Sequence, residues 1–268
     1  MFRHMEHSLE KAERFRDLHE GDPFVIPNPW DAGSAKLLAS LGFQALATTS
    51  SGFAFTLGRP DGDVTLDEVI DHTRVLAAAT SLPVSVDLEN GYGSAPEEAA
   101  RAITAAAGAG AVGGSIEDYG PEEGIYEIGY ATERIAAAAD AARACDFPFT
   151  LTARAENHFR GNPALDDTIA RLRAYEEAGA DVLYAPRLRA LADIRAVCDA
   201  VARPVNVLAH PGVSVAEIVE AGGQRISVGG NLAWVAYAAL ADAATRIRDE
   251  GDLGALESSA DLESWLGA

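Results

Sequence analysis

One recurring unit constrains this chain more than any other feature: an Ala-rich helical stretch, a glycine, then a short apolar run that ends in polar residues. Ala35–Gly42 leads to Gln44–Thr48, and Glu97–Gly110 leads to Val112–Ile116. Arg171–Gly179 leads to Val182–Ala185, and Val215–Gly222 leads to Arg225–Val228. A glycine just past a helix end accepts the left-handed conformation that a Cβ resists. Gly42 and Gly110 are 68 residues apart, and Gly110 and Gly179 are 69 apart. If each interval holds two strand–helix units, a unit is roughly 34 residues, the ordinary size of a βαβ repeat.

Four further runs, Phe24–Pro27, Val84–Asp87, Phe149–Arg154 and Val205–Leu208, are short and apolar in the same way. Near-continuous apolar runs suit parallel strands buried on both faces. Eight strands, each followed by a helical pattern, predict an α/β fold of the closed (β/α)8 type, and 268 residues suit one such barrel. No GxGxxG follows the first strand, which disfavours a dinucleotide-binding sheet. Thr65 with Glu68, Ser94 with Glu97, and Ser214 with Glu217 have the spacing of capping boxes at helix starts. The chain reads as a single domain, 1–268. Residues 1–20 form an amphipathic helix beside the barrel, 21–248 the barrel, and 249–268 an acidic tail. The tail's apolar points, Leu253, Leu256, Leu262, Trp265 and Leu266, suggest a short helix against the body or a neighbouring subunit.

Charge narrows the partners. With 41 acidic against 21 basic residues the formal net charge is −20, and the only lysines are Lys11 and Lys36. Phosphate backbones and anionic membranes need clustered Lys and Arg, so neither is an expected partner. No run of about 18 apolar residues occurs, and the charged start lacks an apolar leader core, so a soluble cytoplasmic protein is expected. Cys145 and Cys198 fall in helical patterns and form no metal spacing or disulfide framework.

In such a barrel chemistry belongs at the C-terminal ends of the strands. The polar residues there are Asn28 to Asp31, with Trp30 among them, Thr48 to Gly52, Asp87 to Gly93, Glu117 to Tyr119, Arg154 to His158, Pro186 and Arg187, Asn206 and His210, and Gly229 to Asn231. Asp87 and Glu89, two apart on a strand, share a face, and Glu117 stands on the next strand. Three crowded carboxylates repel unless a cation sits among them, and hard oxygens with few other ligands suit Mg²⁺ (or Mn²⁺). Asp118 reads equally as a helix-capping group. Arg154 is placed to receive a substrate carboxylate or phosphonate, or else to neutralise Glu156. Backbone N–H groups near Ser51-Gly52 and Gly229-Gly230 could take further anionic oxygens. His210 reads as a mouth residue or a surface-loop residue. No GxSxG elbow or Ser-His-Asp order appears, which argues against acyl transfer.

These segments, in order, resemble the isocitrate lyase/phosphoenolpyruvate mutase superfamily in its short, single-barrel branch. The likeness rests on Asn28 to Ala35, Thr48 to Gly52, Gly58 to Gly62, Ser85 to Gly93, Ile116 to Asp118, Ala153 to Asn157 and Val228 to Leu232. The resemblance implies Mg²⁺ held largely through water by Asp61, Asp87, Glu89 and Glu117. It implies a small 2-oxo or 2-hydroxy acid bound at the metal, the Ser51-Gly52 loop and Arg154; from their strand-end positions Trp30, Asn206 and Gly229 are further substrate-binding candidates. Arg154, Glu117 and Asp61 are then the catalytic candidates. Bond cleavage would leave an enolate that the metal stabilises. The last helix would pack on a partner subunit, and the long, apolar Leu232–Arg248 stretch agrees with a homodimer or homotetramer. Family members that split methylisocitrate-like substrates carry a Lys-x-Cys-Gly-His loop after strand four. Here Gly120 to Ile128 holds no Cys, His or Lys. Tyr126, Glu122 or Glu123 is then either a replacement acid or an ordinary loop residue. Carbon–carbon lyase chemistry is the first expectation. Phosphonate C–P mutase or hydrolase chemistry and a non-catalytic metabolite-binding barrel are the alternatives.

Overall fold

The computed structural model describes residues 2–257 and Trp265, with side chains from Ser8 onward. Eight strands run parallel: β1 (Phe24–Ile26), β2 (Leu46–Ala47), β3 (Val84–Asp87), β4 (Gly113–Glu117), β7 (Thr150–Arg154), β8 (Val182–Tyr184), β9 (Val205–Leu208) and β10 (Arg225–Ser227). Ladder pairing runs from β2 through β3, β4, β7, β8, β9 and β10 to β1. One bond outside the ladder, Ala47 N–H to the Pro27 carbonyl at 3.1 Å, brings the two ends together into a barrel. Every strand falls within or against an apolar run expected from the sequence. A small antiparallel hairpin, β5 (Tyr119–Gly120) and β6 (Gly124–Ile125), is inserted after β4.

Helices α2 (Ala32–Ser40), α3 (Ser50–Thr56), α4 (Leu66–Ala79), α5 (Pro96–Gly108), α6 (Ile128–Arg143), α7 (Leu165–Glu177), α8 (Leu191–Ala200), α9 (Val215–Glu220) and α10 (Asn231–Glu250) follow the strands. The main core lies between barrel and helices, where Ile103, Ile116, Ile135, Leu151 and Leu172 are fully buried or nearly so. Gly42, Gly110, Gly179 and Gly222 end the four repeated units with φ between +86° and +103°, which keeps each helix-to-strand turn short. The Thr65/Glu68 and Ser214/Glu217 capping boxes form as expected. The Ser94/Glu97 box does not. Pro96 takes the first helical position, so the cap moves to Ala95, whose N–H donates to Glu98.

The first helix, α1 (Phe2–Glu20), lies under the barrel, not beside it. Ala12 and Phe15 pack on Phe24, Ile26, Ala45 and Val112 at the N-terminal ends of the strands. A Cβ at Gly113 would stand 2.7 Å from the Phe15 ring, so α1 makes the floor. Lys11 Nζ ties it to the carbonyls of Ala77 and Thr80. At the other end, α10 buries only Ala233, while Trp234, Val235 and Leu240 are exposed. After it the chain makes a 3-10 turn at Leu253–Leu256, both leucines exposed. Leu262 and Leu266 lie outside the described residues.

Candidate active site

Neighbouring strands β3, β4 and β7 end on Asp87, Glu117 and Arg154, so these side chains meet at one side of the mouth. Arg154 Nη1 lies 3.2 Å from Glu117 Oε2 and 3.9 Å from Asp87 Oδ1, and its Nε lies 2.5 Å from Glu156 Oε1. The ion pair with Glu156 is therefore real, and Arg154 also reaches the acid cluster. Arg160, which no strand-end pattern marks, lies 3.1 Å from Glu156 and 3.8 Å from Glu117, with its guanidinium 3.7 Å over the Tyr119 ring. A cavity of about 420 Å³ opens here, lined by Asp61, Glu89, Glu117, Tyr119, Arg154 and Arg160 among others. A second cavity of about 190 Å³ shares Asp61 and Arg154 with it and runs into the barrel.

The segment after β3 holds its acids in an unusual backbone. Glu89 and Tyr92 have φ of +48° and +60°, costly for residues with a Cβ. Buried Arg134 fastens the loop. It donates to the Gly93 carbonyl at 2.7 Å, to the Ser94 carbonyl at 2.8 Å, and to Asn90 O. Tyr92 OH donates to Glu89 at 3.3 Å. Burial first, then the Asp87 and Asp61 carboxylates, push Glu89 up to about 7. Burial also raises Glu117 well above the usual carboxylate range, because the nearby acids oppose the attraction of Arg154. Asp61 stands at the rim, yet loss of solvent around its carboxyl and the charge of Asp87 raise it too. Arg154 stays firmly protonated: burial works against its charge, but Glu117 and Glu156 outweigh it.

The other expected residues divide. Ser51 and Gly229 line the inner cavity. The Gly229 N–H, however, already donates to Asn28 Oδ1 at 2.9 Å, and the Gly52 N–H to the capping Thr49. Neither amide is free for an anion. Trp30 lies outside the cavities, with its ring 6.4 Å from Tyr237 of α10. Asn206 sits below the mouth, because it is the second residue of β9. There it is bonded to Ser227 and Arg225. His210 belongs to a loop, bonded to the Pro211 and Arg189 carbonyls. Asp118 caps no helix. Its carboxylate is buried, 3.1 Å from Arg171, and accepts from Tyr175 OH and from the Glu156 N–H at 2.7 Å. Tyr126 is buried beneath the hairpin, and Glu122 and Glu123 are exposed. None of the three lines either cavity.

The expected trio of Asp87, Glu89 and Glu117 does not close into a direct cage. Among the described residues no three Asp, Glu, His or Cys groups converge closely enough for that. Arg154 Nη1 stands within ion-pair reach of both Asp87 and Glu117. The donor chemistry nevertheless suits a hydrated divalent cation. Asp61, Asp87, Glu89, Glu117 and Glu156 gather around Arg154 and Arg160, and burial first, with neighbouring carboxylates adding to it, raises Asp61, Glu89 and Glu117. Mg²⁺ keeps several waters, and such acids hold it through them.

Known proteins share this arrangement of chain. Over 209 residues the chain is 35% identical to 2-methylisocitrate lyase of Escherichia coli strain K12, covering 74% of this chain and 69% of that one. A crystal structure from Burkholderia cenocepacia J2315, provisionally described as a lyase/mutase, superposes with a TM-score of 0.95 at 50% identity over 98% of each chain. Oxaloacetate acetylhydrolase in complex with oxalate superposes with a TM-score of 0.87 at 26% identity, covering 97% of this chain and 94% of that one. The family model described as phosphoenolpyruvate phosphomutase matches residues 15–248, from the floor helix through nearly all of α10. With the whole barrel inside that match, the chain belongs to the phosphoenolpyruvate phosphomutase family, in the isocitrate lyase/phosphoenolpyruvate mutase superfamily of enzymes.

Proposed function

We propose that the protein is a Mg²⁺-dependent lyase that cleaves or decarboxylates a small 2-oxo or 2-hydroxy carboxylic acid. The observation that carries this reading is the mouth itself: five carboxylates around two guanidinium groups, with Glu89 raised to about 7. Asp61, Asp87, Glu89 and Glu117 would hold the metal through its waters. When bound, the metal supplies Lewis-acid stabilisation of the negative charge that develops as the bond breaks. Arg154 keeps its charge at any working pH and holds the substrate carboxylate by charge-assisted hydrogen bonds. Arg160 and Phe159 line the mouth. No side chain of the β5–β6 hairpin that could act as an acid, other than Tyr119, faces the cavity. That favours a reaction whose leaving group needs no proton, such as loss of CO₂.

The test is a metal-stimulated activity screen against oxaloacetate, methylisocitrate, dimethylmalate and phosphonopyruvate. Turnover of an oxo or hydroxy acid that chelation abolishes is expected, and Asp87→Ala should lose both that activity and Mg²⁺ binding in calorimetry. Turnover of phosphonopyruvate alone would replace this reading with C–P chemistry. The exposed Trp234, Val235 and Leu240 of α10 support a homo-oligomer built on this helix. A monomer by light scattering at micromolar concentration would rule it out.

A further inference from the structure

Barrels of this kind ordinarily fill their interior with layers of bulky branched side chains. Here the inner cavity is lined by Ser85, Ser115, Asn206, Ser227 and Arg225 as it descends from Asp87 and Arg154. Strand register explains the descent. Glu117 pairs with Arg154, Arg154 with Tyr184, Tyr184 with Asn206, and Asn206 with Arg225. Paired residues on parallel strands face the same side, and tilted barrel strands carry such a row down the axis. The row begins where Glu117 ends β4 and finishes where Arg225 opens β10, next to the floor helix α1.

Arg225 is 5% exposed. Its Nε donates to Asn206 Oδ1 at 2.8 Å and its Nη2 to Thr152 Oγ1 at 3.0 Å, while Nη1 lies 3.2 Å from His19 Nε2. His19 Nδ1 lies 2.7 Å from the Phe15 carbonyl, so the ring proton sits on Nδ1 and Nε2 accepts from Arg225. All three partners are neutral, His19 included, since burial and Arg225 push it down to about 3. Among the described residues no carboxylate lies within ion-pair distance of Arg225, and burial lowers its own pKa to about 10. A buried cation without a counter-anion is unfavourable. Three of its five N–H groups are engaged, which leaves one on each terminal nitrogen, and the residue lines the inner cavity.

We propose that this shaft is an anion subsite below the acidic mouth, with Arg225 as its floor, and that it takes a small carboxylate. One guanidinium beneath an acid-lined mouth suits a monoanion and not a phosphate dianion. The shaft opens at Asp87 and Arg154, so the carboxylate is either a free ion or one arm of a molecule held at the mouth. The subsite stands whether or not the mouth proves to be a lyase.

Titration of acetate, succinate and chloride into the metal-free full-length protein, at constant ionic strength, tests this by calorimetry and melting temperature. Acetate or succinate should bind, with affinity lowered about tenfold or more in Arg225→Met. Ser85→Leu, which fills the shaft and keeps Arg225, should lower it similarly and serves if Arg225→Met does not fold. Arg225-dependent binding of acetate marks a free-ion site, whereas such binding of succinate alone marks an arm of a longer molecule. Binding of neither ion, unchanged affinity in both variants, or an equal Arg225-dependent response to chloride overturns the proposal.

Discussion

Two arginines face the interior of this barrel in opposite surroundings. Arg154 at the mouth lies against Glu117, Glu156 and Asp87, and its charge is reinforced. Arg225 donates to Thr152, two residues before Arg154 on the same strand and therefore one layer lower, and it meets only neutral partners. The mouth holds an excess of negative charge and the floor an uncompensated positive one. Burial penalises both guanidinium groups, so the difference comes from the neighbours. The same residue type on the same inward face is an anchored cation in one layer and a cation without a counter-charge in the next.

The largest effect should separate the two by stability. Arg154→Met leaves Glu117 and Glu156 buried without their nearest cation, at a cost of about 3–5 kcal/mol. Arg225→Met orphans no charge; it leaves the Asn206, Thr152 and His19 acceptors unpaired but removes an uncompensated buried cation, so it should cost less, about 1–3 kcal/mol. Equal losses in denaturant melts would break the comparison. Next in size is activity: Arg154→Ala should lose about two orders of magnitude or more in kcat/KM on the acid found by the screen, through lost anion binding. Retention of full activity would remove Arg154 from the mechanism.

A smaller effect follows from Glu89. Its folded pKa of about 7 lies above the unfolded value of 4.5. Its carboxyl therefore favours the folded metal-free protein fully below pH 4.5 and loses that contribution as pH rises through about 7. With allowance for partial exposure this amounts to about 2 kcal/mol. Glu89→Gln should flatten the pH dependence of melting across that window in chelator. An unchanged profile would show that the mouth is better compensated than its geometry indicates. The smallest effect concerns the thiols. Burial raises Cys145, and it pushes Cys198 up to about 11. Neither lines either cavity. Cys145→Ala with Cys198→Ala should keep most of the turnover. A folded but inactive double variant would move the chemistry away from the mouth.

The sequence by itself determined the barrel and the acids of its mouth. Each helix–glycine–strand unit is local, the glycine φ values were needed wherever the unit occurred, and strand ends are where polar residues interrupt apolar runs. Asp87, Glu89, Glu117 and Arg154 were legible for that reason, while Asp61 came only from the family likeness. Tertiary structure decided what those residues touch. Glu117 and Glu156 are brought to Arg154 by neighbouring strands and by a turn, and Asp118 found Arg171 and Tyr175, more than fifty residues away. The Gly52 and Gly229 amides looked available until Thr49 and Asn28 bonded to them. Arg160 reached the mouth from a loop with no periodicity to read. The polar shaft had left a trace in the alternation Ser85-x-Asp87, Thr152-x-Arg154 and Arg225-x-Ser227. Alternation along one strand shows that residues share a face, but not which face is inward or how far down the barrel they lie. Strand tilt and register set that depth, and both arise only when all eight strands close.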